Sequence, residues 1–188
     1  MTSKRKLAVS LALGLLAFGA TRAILAGRWY RIPQNGMYPG LPAGSYLVVN
    51  RNAYRGPDDV QRGDIVVFVR NEKGARYTYI WRVVGLPGDS IVVRGHHLAV
   101  NGTPLPQVET RHDAARTVFR EQNGPRSYEV AYPSAGQPAI EPPPVDTRVP
   151  PSTFFVMGDN RYNAIDSRHF GPVPFEDILG KHVWSPGS

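Results

Sequence analysis

The chain has 188 residues, with 22 Lys and Arg against 15 Asp and Glu, a net charge of +7 and no cysteine. The length allows one domain with its own core, and the lack of cysteine excludes disulfides and thiolate metal sites. The basic residues are scattered, with no basic helix and no aromatic RNA-binding motif, so no nucleic-acid partner is expected.

Lys4, Arg5, Lys6, Arg22, Arg28 and Arg31 instead flank the apolar segment Leu7–Ala26, a pattern suited to anionic membrane lipid. Its uninterrupted part, Leu7 to Thr21, falls short of the roughly 20 residues that a spanning helix needs. Arg22 would therefore have to snorkel toward the headgroups. The basic triplet before the segment predicts an N-terminus on the cytoplasmic side and the remainder outside. From the segment alone a cleavable leader reads equally well, with Ala17 and Gly19, or Ala20, small enough for a cleavage site.

Beyond residue 30, short runs of Val, Ile, Tyr and Phe broken by Gly, Pro, Asn and Asp predict a β-rich domain. Strands are expected at Ser45–Asn50 and Ile65–Val69, with a hairpin turn at Asn71–Gly74 and a return strand over Tyr77–Val84. Leu86–Asp89 is a turn signal. Ile91–Arg94 and His97–Val100 form a hairpin around Gly95-His96, followed by Asn101-Gly102. Residues 105–149 differ in composition and read as a partly irregular subdomain with one strand, Ser127–Tyr132, and a proline-rich return. Pro142–Pro144 is read as an extended connector. The apolar run Phe154–Met157 then delivers a dense cluster of charged and amide residues, Gly158 to Arg168, the kind of segment a strand presents at a site.

Four segments together resemble the type I signal peptidases, membrane-anchored Ser/Lys proteases that remove signal peptides. They are Ile32-Pro-Gln-Asn-Gly-Met-Tyr-Pro-Gly-Leu41, Arg62-Gly-Asp-Ile-Val-Val-Phe68, Tyr79-Ile-Trp-Arg-Val-Val-Gly-Leu-Pro-Gly-Asp89 and Gly158–Arg168, in the family's order. The resemblance covers nearly the whole chain and is weak only between about 105 and 148. It implies a mostly antiparallel β domain over residues 27–188, a cytoplasmic basic stretch at 1–6 and one uncleaved transmembrane helix at 7–26. The implied location is a single-pass protein of the cytoplasmic membrane with its main domain outside.

The same resemblance places the family's nucleophilic Ser on Gly36, its general-base Lys on Trp81 and the Ser that orients the Lys on Ala164. The oxyanion-assisting Ser falls on Gln34. Glycine cannot form an acyl-enzyme and indole cannot accept a proton. Loss of all three positions inside otherwise well-kept segments implies that the chemistry is gone. Arg82 is expected to pair with Asp159 and Asp166 with Arg168; with Asn160 and Arg161 these form the scaffold of the loop. The family's apolar groove maps onto Tyr30, Ile32, Met37, Leu41, Tyr79 and Ile80, with Trp81 expected to fill part of it.

Ser45, Ser90 and Ser167 are candidate substitute nucleophiles, but the sequence places no base beside any of them. The five histidines, His96, His97, His112, His169 and His182, do not form a metal-ligand pattern, and no cofactor is expected. Three readings follow. One is a non-catalytic membrane-anchored member that captures an extended segment of an exported preprotein or a pilin-like protein. Another is a working signal peptidase that uses a different nucleophile or completes its site with a partner; an active signal peptidase paralogue in the same membrane is a separate candidate partner. The third is a structural subunit of a membrane complex.

Overall fold

The computed structural model describes residues 28–186, so the expectations for the basic stretch 1–6 and the segment 7–26 lie outside the described residues. Among the described residues no helix is long and apolar enough to cross a membrane. The strands are β1 (Arg28–Arg31), β2 (Tyr46–Asn50), β3 (Ile65–Glu72), β4 (Ala75–Gly85), β5 (Ser90–Arg94), β6 (His97–Val100) and β7 (Thr103–Pro104). After them come β8 (Gln107–His112), β9 (Arg116–Asn123), β10 (Arg126–Pro133), β11 (Val145–Arg148), β12 (Thr153–Met157), β13 (Val173–Pro174) and β14 (Ile178–Trp184). A short helix, α1, covers Ser167–Phe170.

Three sheets result: a seven-stranded sheet in the order β1-β2-β14-β3-β4-β12-β13, a four-stranded sheet β11-β5-β6-β7, and a three-stranded sheet β10-β9-β8. Strand pairing in all of them is antiparallel. The expected hairpin closes through a two-residue loop, Lys73-Gly74, with both residues at positive φ, the backbone that matches the twist of the flanking strands. At Leu86–Asp89 the amide of Asp89 donates to Leu86 O and Gly88 has φ of 86°, the third position of a turn that favours glycine.

The period of two along β12 divides the core. Phe154 and Val156 face the main cluster, with Leu47, Val66, Phe68, Trp81 and Val83, while Phe155 and Met157 face a second cluster shared with Ile91, Val93 and Leu98. β4 does the same: Trp81 and Val83 point to the main core, and Val84 to the second.

Two parts differ from the sequence expectation. Residues 105–149 hold three regular strands and β11, rather than one strand in an irregular subdomain. β8 is exposed along nearly its whole length, so it carries no apolar alternation; its pairing with β9 defines it. β14 occupies an inner place between β2 and β3 although its sequence ILGKHVW carries two breaks in register, at Ile178/Gly180 and His182/Trp184. These bulges erase the period of two on which a strand is read.

Candidate functional site

The loop between β12 and α1 is built from charged pairs. Arg82 donates from Nε and Nη2 to the two carboxylate oxygens of Asp159 at 2.8 and 2.6 Å, and from Nη1 to Gly63 O at 2.7 Å. Its guanidinium also lies 4.2 Å from the ring centre of Tyr128. Burial works against the charge of Arg82, but the adjacent Asp159 outweighs it and raises the pKa. Asp166 accepts from Arg168 Nε and Nη2 at 2.8 and 2.7 Å, and from the amide of Gly158 at 2.9 Å. Both expected pairs are therefore present.

Arg161 reaches a partner that the sequence did not offer. Its Nη1 and Nη2 donate to Glu121 on β9 at 2.9 and 2.6 Å, with both side chains almost fully enclosed. Asn160 joins the loop to the segment around residue 36, its amide donating to Gly36 O and its Nδ2 to Asn35 O, both at 3.0 Å.

Held by this frame, Gly36, Trp81, Gly158 and Ala164 meet at one point. A Cβ on Gly36 would lie 2.5 Å from Trp81 Cζ3 and closer still to Cη2. A Cβ on Gly158 would overlap that of Ala164 and lie 3.1 Å from the same indole. Gly36 is not among the residues with positive φ, so the indole, and not the backbone, demands glycine here. Trp81 donates its Nε1–H to Ile165 O at 3.1 Å, which occupies the one polar group in this cluster.

Beyond the indole an open cavity of about 250 Å³ remains, lined by Ile32, Pro33, Gln34, Gly36, Met37 and residues Tyr77 to Trp81. Four of the six expected groove residues, Ile32, Met37, Tyr79 and Ile80, are on its wall. Tyr30 and Leu41 are not. Leu41 is enclosed in the main core, its amide bonded to Met37 O, and Tyr30 packs on that core from β1. Tyr77 and Thr78 were missed because nothing local distinguishes them; they enter through the length of β4.

The same strand offers an unpaired edge. Val83 exchanges backbone hydrogen bonds with Gly63 and Asp64, on the β3 side. By alternation Tyr77, Tyr79 and Trp81 also turn their amides to β3, whereas Thr78, Ile80 and Arg82 turn theirs away. β12 pairs with β4 only from Arg82 to Gly85. No described strand lies along Thr78 and Ile80 on that side.

Other chemical groups lie elsewhere. Ser167 is enclosed and accepts from the amide of Val156 at 2.9 Å, and Ser45 donates to Pro42 O. Of the two lysines within 28–186, Lys73 sits in the β3–β4 turn and Lys181 pairs with Asp64 at 2.7 Å. His182 Nε2 and Ser185 Oγ are 2.7 Å apart, but Ser185 is only 3% exposed and gives a substrate no access. Among the described residues no group of three His, Asp or Glu side chains could hold a metal ion.

Burial, and then the charge of Arg82, lowers the pKa of His182 below the ordinary 6.5. Above that value the ring is neutral in both folded and unfolded chains. As pH falls below it the unfolded chain takes up the proton first, so folding stability drops. Urea unfolding at pH 7 and pH 5 should show this loss, and His182→Gln should make it smaller; an unchanged pH slope would count against the assignment.

The chain resembles known proteins along most of its length. The family described as "Signal peptidase, peptidase S26" matches residues 4–185. A signal peptidase I from Bacillus caldolyticus is 37% identical over 153 residues, which is 81% of this chain and 75% of that one. A signal peptidase I from Pseudomonas fluorescens is 32% identical over 183 residues, and the match covers 82% of this chain but only 63% of that protein. A crystal structure of a signal peptidase I from Enterococcus faecalis aligns with a TM-score of 0.39 and 26% identity, over 65% of this chain and 95% of that one.

Proposed function

This chain belongs to the peptidase S26 signal peptidase family, and we propose on that premise that it captures an extended segment of an exported protein without cleaving it. The observation that carries this reading is the unpaired edge of β4 at Thr78 and Ile80, lying beside the cavity that ends at the indole of Trp81. An added strand gains main-chain hydrogen bonds from such an edge and places alternate side chains in the adjoining pocket. The segment would continue the line of β12.

Acyl transfer needs a nucleophile and a base within hydrogen-bond reach. Gly36, Trp81 and Ala164 supply neither, and the indole closes the space into which a side chain at residue 36 would project. The Ser45 hydroxyl donates to Pro42 O, Ser167 is enclosed with its oxygen accepting from the Val156 amide, and Lys181 is held by Asp64. The open cavity favours capture over a purely structural subunit. The sequence before β1 supports attachment to the cytoplasmic membrane through residues 7–26.

The test uses full-length protein in detergent, a panel of preproteins and pilin-like peptides, mass spectrometry for products and fluorescence anisotropy for binding. We expect binding and no products. Thr78→Pro removes an outward amide while leaving the β3 ladder intact, so capture should weaken at least tenfold with an unchanged circular dichroism spectrum. Cleavage after a small residue, abolished by Ala at one serine, would sink the proposal. Neither cleavage nor binding would transfer the weight to a structural subunit.

A further inference from the structure

We propose that a further cavity, joined to the residue 36 loop through Asn160 and Asn163, selects an acidic side chain, Asp or Glu, in the captured segment. The inference rests on the capture reading above. The cavity is open, holds about 440 Å³, and includes Arg116, Gln137, Ile140, Asn160, Tyr162 and Asn163 in its wall. Shared framework connects it to the first cavity. Gly36 lines the first, whereas Asn160, which donates to Gly36 O and Asn35 O, lines this one. Asn163 O would lie 3.4 Å from a Cβ on Gly36. An extended chain advances about 3.3 Å per residue. A segment seated at Thr78 and Ile80 that runs on past residue 36 therefore reaches this cavity within a few residues.

Arg116 sets the chemistry. It opens β9 opposite Pro133, in a closed turn where its amide donates to Asp113 Oδ1 and its O accepts from the Asp113 amide, both at 2.8 Å. Its guanidinium lies 4.9 Å from the ring centre of Tyr38, in the residue 36 loop. Such a contact holds the planar group and leaves its N–H edge for a carboxylate. Among the described residues that guanidinium has no hydrogen bond and no ion pair. Arg116 is also the only charged residue on the wall among the described residues, and the side chains of Gln137, Asn160, Tyr162 and Asn163 are uncharged. Two carboxylates nearby in sequence are engaged elsewhere: Asp113 accepts from the amides of Ala115 and Arg116, and Glu141 lies against Gly95. A half-buried cation without a counterion, at the end of a peptide groove, selects a carboxylate.

The test titrates full-length protein in detergent with fluorescein-labelled preprotein peptides. Their C-termini are amidated, so no terminal carboxylate competes. The peptides differ only in a single Glu, Gln or Lys stepped along the sequence. At one position, anisotropy should show the Glu peptide binding roughly fivefold or more tightly than its Gln counterpart, within what one charge-assisted hydrogen bond supplies. Arg116→Glu should reverse the order at that position, so that Lys binds more tightly than Glu, a gain that a misfolded protein cannot produce. Equal binding of Glu and Gln peptides at every position would overturn this inference and leave the capture reading standing. An acid preference that Arg116→Glu does not alter would remove the assignment to this cavity. Binding of no peptide at all would defeat both readings together.

Discussion

Gly36→Ser should destabilise the protein by about 1–3 kcal/mol, the usual cost of forcing atoms into a filled core, and the penalty should vanish once Trp81 is cut back to Ala. The backbone at residue 36 tolerates any side chain, but a Cβ there falls on the indole ring. A rigid aromatic held by Ile165 O cannot swing aside as a flexible side chain would. Trp81→Ala alone removes a large buried side chain and should cost about 3–5 kcal/mol. Combined, the serine enters space that the indole has left, so the two changes should be non-additive by roughly the whole penalty of the first. Urea midpoints of the four proteins measure this coupling. Strict additivity would mean that glycine and tryptophan are not a matched pair, and would remove the steric reason for glycine at residue 36.

The second large effect is expected at Arg161 and Glu121. Both side chains lie within a few per cent of full burial, and burial opposes the charge of Arg161 while Glu121 raises its pKa well above the ordinary value. Glu121 also accepts from Gln107 Nε2 at 2.7 Å. Removing one partner leaves the other charge enclosed, so Glu121→Leu should cost about 3–5 kcal/mol. Replacing both, as Glu121→Leu/Arg161→Met, should cost less than the single change, because no orphaned charge remains. Hydrogen exchange should rise over residues 107–133 in the single variant, since Arg161 also holds β10 through its amide to Ala131 O. A loss below about 1 kcal/mol in the single variant would show that water reaches the pair and that the loop does not depend on it.

These predictions rest on features of unequal legibility. Turns at Leu86–Asp89 and Lys73-Gly74 were readable because glycine admits the positive φ such turns need and proline fixes its own φ, whatever the rest of the chain does. The pairs Arg82–Asp159 and Asp166–Arg168 were readable through resemblance, which supplied the partner that spacing alone does not. Residues 105–149 were not readable in the same way: β8 exposes both its faces, and the strand exists because β9 and β10 stand beside it.

By itself, then, the sequence determined the β-rich class, the main turns, the strands of the apolar core and the chemical identity of residues 36, 81 and 164. Each of these depends on residue type or on a period of two within one segment. Only the tertiary structure decided that Gly36 is shaped to the indole of Trp81, that Glu121 neutralises Arg161, and that Tyr30 and Leu41 stand apart from the cavity. It alone exposed the outward amides of Thr78 and Ile80 and set Arg116 over the ring of Tyr38. Those are contacts between segments tens of residues apart, set by strand order and register, and no local pattern encodes which face will meet which.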